Sequence, residues 1–170
     1  LSNKGVMEKL MNLKKAPLVS ISNPMSETYS AVRCWILPEL VDLLQHNKHV
    51  EYPQRIFEAG SVAVNLGKSV VDYEQVALLS AHDKAGYTEM RAAVDYLLSV
   101  LGFSYEILDT EHDSFIPGRV GKVMVNNEEI GVLGELHPTI LSSLGLEVPA
   151  CAIELNLTRL FAISLQKESS

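Results

Sequence analysis

The sequence predicts an α+β domain, an antiparallel β-sheet with helices packed on it. Strand-like segments outnumber helical ones, most links between strands are short enough for hairpins, and two segments carry an apolar stripe at helical spacing. In chain order, residues 5–13 read as a short amphipathic helix. Residues 18–22 alternate as a strand does, with a turn at 23–26. Over 36–47, Leu37, Leu40, Val41 and Leu44 share one helical face, and Pro38 fits only in the first turn. Residues 55–66 read as two short strands around Gly60, and 74–81 as a continuous apolar strand buried on both faces. The clearest helix is 88–101: Thr88 can cap it, Glu89 suits its positive end, Met90, Val94, Leu97, Leu98 and Leu101 make its stripe, and Gly102 ends it. A strand at 103–108, a polar loop at 109–117 and a strand at 119–125 follow. Asn126-Asn127 is a tight-hairpin pair leading to a return strand at 129–136. Pro138 opens a short helix to Leu144, 148–157 is the last strand, and 158–163 starts a helix.

The chain has 170 residues, 47% of them hydrophobic, with a mean hydropathy of +0.12. That is enough for one domain with a real core. No apolar run approaches the roughly 18 residues of a membrane helix, so no membrane association is expected. The formal net charge is −7 and the isoelectric point about 5.2. Lys14–Lys15 is the only lysine pairing, so direct gripping of nucleic acid through its phosphates is disfavoured. Cys34 and Cys151 sit in apolar company and read as buried, reduced thiols. With no secretory or lipidation motif in view, a cytoplasmic location is expected.

Four segments, taken in this order and spacing, carry a family resemblance. They are Asn23-Pro24-Met25-Ser26-Glu27-Thr28-Tyr29-Ser30; Arg33 with Leu37-Pro38 and Leu40; Ile56-Phe57-Glu58 with Gly60 and Val62; and Gly131 with Leu133-Gly134-Glu135-Leu136-His137-Pro138. Together they resemble the C-terminal, catalytic-like module of the phenylalanyl-tRNA synthetase β subunit, over about residues 20–160. Asn47-Lys48-His49 with Pro53 looks more like the archaeal and eukaryotic versions than the bacterial ones. The resemblance implies a class II aminoacyl-tRNA synthetase fold. Residues 1–17 would be a remnant of the preceding region of the same module, 18–163 the module and 164–170 a tail. It further implies a heterotetramer of two α and two β subunits that uses ATP and magnesium, in which the α subunit activates phenylalanine with ATP and charges the tRNA. This segment would hold no cofactor, would support assembly with the α subunit and would meet tRNA only through the holoenzyme.

The resemblance also shows where the chemistry is missing. Class II adenylation uses a motif 2 arginine and glutamate on the ATP, and a Gly-x-Gly-x-x-Arg strand that lets adenine lie against bare backbone. Laid over this sequence, the motif 2 positions fall on Val64 and Leu66, and the two glycines on Glu154 and Asn156. A valine cannot hold a phosphate, and Glu154 puts a carboxylate where adenine needs room. Only Arg159 lands on a family arginine. No catalytic, cofactor-binding or metal residue is therefore assigned.

Other candidate residues have plainer roles. His46 and His49 have a metal-like spacing but no third ligand and read as a polar helix end. His137 beside Glu135 could form an acid–base pair; a hydrogen bond turning the corner before Pro138 is the better reading. The acids Asp109, Glu111 and Asp113 lack the glycine and distal glutamate of a calcium loop. Two rival functions follow: an enzyme with altered chemistry, which needs two of Arg33, Arg55 and Arg159 in one cleft, and a regulatory module binding a small ligand and a protein partner.

Overall fold

The computed structural model of the chain describes residues 7–8, 10–13, 16–24 and 30–168, the side chains of 166–168 excepted. The helix expected over 5–13, the turn at 23–26 and the first family segment lie partly outside the described residues. Among the described residues the elements run β1 (Val19–Ser20), β2 (Ala31–Val32), α1 (Leu37–His46), β3 (Gln54–Asn65), β4 (Val70–Ala81), α2 (Tyr87–Val100), β5 (Glu106–Asp109), β6 (Phe115–Val125), β7 (Glu128–Leu136), α3 (Pro138–Ser143), β8 (Ala150–Asn156) and α4 (Leu157–Glu168). Strands β3 to β8 form one sheet in the order β3-β4-β8-β7-β6-β5, every pair antiparallel, while β1 and β2 pair separately. The expected α+β antiparallel architecture is what forms.

Strand β8 explains how the layers meet. All seven of its residues are buried, and successive side chains point to opposite faces. Ala150 and Ala152 join a core with Leu37, Leu40, Val41 and Leu44 of α1 and Ile140 and Leu141 of α3. Cys151, Ile153 and Leu155 join a second core with Met90, Val94 and Leu98 of α2 and Leu160 and Ile163 of α4. The sheet is thus sandwiched, with α1 and α3 on one face and α2 and α4 on the other. Both cysteines are buried free thiols, and burial pushes each up to about 12.

Three local expectations change. Residues 54–65 form one unbroken strand, with Gly60 opposite Gln75 in regular register. The space that the missing side chain leaves is taken by Arg33, whose Nη2 would lie 2.7 Å from a Cβ there: the position makes room for a guanidinium, not for a break. That guanidinium bonds Glu39 (2.5 Å), Glu58 (2.6 Å) and the Ser61 carbonyl (3.1 Å), tying α1 to the sheet. Strand β4 starts at Val70, and its outer half is not buried on both faces, since Val70, Asp72 and Glu74 are exposed. Helix α2 begins after Gly86, not Thr88, and its first amide, Tyr87 N, donates 3.0 Å to Glu135 Oε1 from β7. Gly86 suits this, since a Cβ there would crowd Glu135 Oε1 at 3.2 Å.

Glu89 does more than face a helix dipole. Its carboxylate accepts from Arg55 Nε (3.0 Å) and Ser80 Oγ (3.0 Å) and pairs with His82 Nε2 (2.8 Å), joining β3, β4 and α2. Although burial raises it, those bonds hold the carboxyl below its ordinary value. The stabilisation it brings is present above the unfolded value and is lost as the pH falls through the lowered one. The hairpin between β6 and β7 forms as expected, with Asn126 and Asn127 both left-handed (φ 49° and 65°).

Candidate functional site

On the α1 face of the sheet a cleft of about 380 Å³ opens beside α1 and the start of α4. The four motif positions named from sequence all line it: Val64 and Leu66 at the end of β3, Glu154 and Asn156 on β8. Val64 and Leu66 offer it only hydrocarbon, and Leu66 is exposed. The other two have found new duties.

Glu154 is 5% exposed, and its carboxylate turns to the start of α1. There Oε1 accepts from Ile36 N and Oε2 from Leu37 N, each at 2.8 Å. The next residue, Pro38, has no N–H, and Glu39 N already bonds Ile36 O at 2.9 Å. One buried carboxylate therefore satisfies the amides that α1 cannot satisfy itself. Burial pushes this carboxyl up to about 7, against the downward pull of the two amides and of Arg33. Asn156 is 8% exposed, and its Oδ1 accepts from Arg159 N at 2.9 Å, which caps α4. Both positions laid over motif 3 glycines are thus helix caps. Asn156→Ala is expected to cost about 1 kcal/mol, as cap removal does. For a chain of this size that lowers Tm by about 2–4 °C in a thermal melt.

Arg159 reaches the cleft, but its guanidinium lies 5.4 Å over the Tyr73 ring and donates to Glu129 O at 3.1 Å. Arg33 is held by Glu39 and Glu58, and Arg55, on the opposite face, by Glu89. Of the three arginines only Arg159 lines the cleft. The cleft's other cation, Lys122, faces a lining that also holds Glu111, Glu129 and Glu154, so it has no excess positive charge for a triphosphate. His137 caps α3 by accepting from Thr139 N at 3.2 Å, while Glu135 bonds Tyr87 N and Arg119 (2.6 Å), so the two form no acid–base pair. His46 bonds the Asp42 carbonyl at 2.8 Å, at the end of α1.

Sequence reading missed four contributors. Trp35, before α1, and His112, between β5 and β6, pack at 5.5 Å between ring centroids and wall one side. Tyr73 and Gln75 on β4 add to the floor. Trp35 Nε1 and Gln75 Oε1 are buried without a hydrogen-bond partner among the described residues. Each such atom costs about 1–3 kcal/mol while unmet.

The comparisons with known proteins fit this geometry. Residues 1–157 match the family model described as the phenylalanyl tRNA synthetase beta chain CLM domain. The chain belongs to this β-chain family. It is 44% identical over 164 residues to the phenylalanine–tRNA ligase beta subunit of Pyrococcus horikoshii, covering 95% of this chain and 30% of that protein. The subunit of Thermofilum pendens is 39% identical over 160 residues, covering 92% of this chain and 29% of that one. The chain spans about 26–30% of the length of such relatives. Both of these relatives are archaeal, one of the two types expected from the sequence. Among solved structures, a pyrrolysyl tRNA synthetase from Desulfitobacterium hafniense superposes with a TM-score of 0.77 at 15% identity, covering 97% of this chain and 60% of that one. The β-chain module therefore has the class II synthetase fold. Among the described residues no helix is long and apolar enough to cross a membrane.

Proposed function

We propose that the chain is a non-catalytic module of a phenylalanine–tRNA ligase β subunit, whose task is assembly with the catalytic α subunit in the cytoplasm. ATP belongs, in this reading, to the α subunit's site and magnesium to the holoenzyme outside this segment, and tRNA is met through the assembled enzyme. A heterotetramer of two α and two β subunits is the expected form.

The observation that carries the reading is an apolar surface on the α2–α4 face. Phe57 of β3 is 75% exposed and Tyr96 of α2 is 74% exposed, with Val100 beside it at 67%. Phe57 pairs with Leu78 across the β3–β4 ladder, and Leu78, Val76, Leu97 and Tyr96 line an apolar groove of about 200 Å³. An aromatic-rich patch of this kind suits the centre of a protein interface. The relatives are named beta subunits, and an α subunit is the partner such a name implies.

The test uses the full-length β subunit carrying Phe57→Asp and Tyr96→Asp, co-expressed with the α subunit. Both side chains are exposed, so the β subunit should fold and melt as before while assembly by size-exclusion chromatography falls at least about tenfold, since buried carboxylates at an interface are costly. Assembly at the unaltered level would reject this surface. Normal assembly after deletion of residues 18–163 would reject the function itself.

A further inference from the structure

Beyond assembly with an α subunit, and without resting on it, we infer that the free edge of β3 pairs with the same edge of a second copy of this chain, antiparallel and two-fold about Phe57. Strand β3 ends the sheet, with β4 on its inner side. Bonds that leave the sheet show which of its main-chain groups face outward. Ala63 N donates to Arg33 O and Asn65 N to Pro17 O, each at 2.9 Å, and Ser61 O accepts from Arg33 Nε. Residues of odd number therefore turn their N–H and C=O away from β4. The β3–β4 register is unbroken from Gln54 to Asn65, so Arg55, Phe57 and Ala59 do the same. Among the described residues no backbone group pairs with these three, and all three are exposed, Phe57 at 75%. A row of unmet donors and acceptors of this kind is a template for another extended strand. The far end of the sheet is protected differently: β5 is short, and Glu106 and Asp109 set exposed acids on it. Over 55–59, β3 has neither a bulge nor a proline, its one cation, Arg55, is held on Glu89, and its centre is an exposed phenylalanine.

The edge itself says which strand fits. Pro53 has no N–H, and the Ser61 carbonyl is already taken by Arg33. The open groups between them are centred on Phe57, which is the condition for a two-fold self-pair. In that register Phe57 meets Phe57 of the second copy, the two exchanging both main-chain bonds, and Arg55 of each copy meets Ala59 of the other. The opposed rings make a favourable cross-strand pair, a long side chain lies beside a small one, and no like charges are directly opposed. On the α1 face Ile56 meets Glu58, whose carboxylate already pairs with Arg33 at 2.6 Å. Both copies keep Phe57 on the same face of one continuous sheet, so the apolar surface that includes Tyr96 is enlarged and not hidden. The pairing closes on itself and leaves this edge unavailable to a third copy.

Sedimentation equilibrium of the unaltered chain, run as a concentration series, is expected to give a monomer–dimer equilibrium and nothing larger. Ala59 makes the register testable, because its exposed side chain would stand opposite Arg55 of the other copy. Ala59→Glu should tighten the dimer at least about threefold and Ala59→Arg should loosen it by as much, since opposite charges across a ladder attract and like charges repel. Ala59→Pro removes an N–H that β4 does not use, and should weaken the dimer at least about tenfold with the circular-dichroism spectrum retained. A monomer at millimolar concentration would overturn the inference. So would open-ended oligomers, or a dimer that Ala59→Glu and Ala59→Arg do not shift in opposite directions. If Ala59→Pro fails to fold, the two charge variants decide alone. Assembly with the α subunit, tested at Phe57 and Tyr96 in the co-expressed subunits, stands or falls separately.

Discussion

Gly131→Ala is expected to destabilise the fold by about 3 kcal/mol or more, the upper part of the range for overpacking a close-packed site. Gly131 lies on β7 opposite Leu155 of β8. A Cβ there would stand 2.1 Å from the Glu154 carbonyl oxygen and 2.9 Å from Leu155 Cα. These are backbone atoms of a central strand, and no side-chain rotation can relieve the contact. The strands must separate, and Glu154 moves with β8, so its hold on α1 weakens at the same time. Urea denaturation checks this, with a fall in the midpoint at unchanged slope. A loss below about 1 kcal/mol would show that the ladder yields easily, contrary to the packing described.

Glu154→Ala is expected to cost about 3 kcal/mol near pH 5, because it strands the Ile36 and Leu37 amides in a buried setting. The effect has a pH signature. The folded carboxyl sits at about 7 and the reference value is 4.5, so between those limits the native chain binds more protons than the unfolded one. The stabilisation that comes with protonating this carboxyl is fully present below 4.5 and is lost as the pH rises through about 7. The gap between unaltered chain and Glu154→Ala should therefore be larger at pH 5 than at pH 8, as measured by urea midpoints at both. A gap that widens with rising pH would mean that the amides hold the carboxylate ionised throughout. Glu89 acts in the opposite sense at lower pH in both proteins and cancels from the comparison.

What the sequence disclosed, and what it withheld, follows from range. The Asn126-Asn127 hairpin was legible because asparagine tolerates the left-handed backbone that its turn demands. The stripe of α1 and its early proline were legible for the same local reason. Asn156 was read only as a position laid over a lost glycine, although the amide it caps is three residues away. Gly60 was misread because its neighbour is Arg33, brought in by the fold; a glycine in a strand signals either a bend or a close approach, and sequence alone did not choose. Thr88 lost its cap to Glu135, 48 residues away from the amide it serves. The motif alignment marked Glu154 as a position where synthetase chemistry is absent, yet its actual work, across 118 residues, became visible only with the fold. Trp35 and Gln75 were passed over for a related reason: an unmet hydrogen bond is a property of surroundings and not of residue type.

The proposed non-catalytic role requires that this cleft does not bind ATP. Calorimetric titration of the chain with ATP and magnesium, then with phenylalanine added, tests it most directly. With Val64 and Leu66 in place of charged groups and Glu154 closing the floor, no saturable heat is expected at millimolar ligand. Saturable binding of ATP would show that a nucleotide site persists without the motif 2 arginine, and the reading of an enzyme with altered chemistry would then take first place.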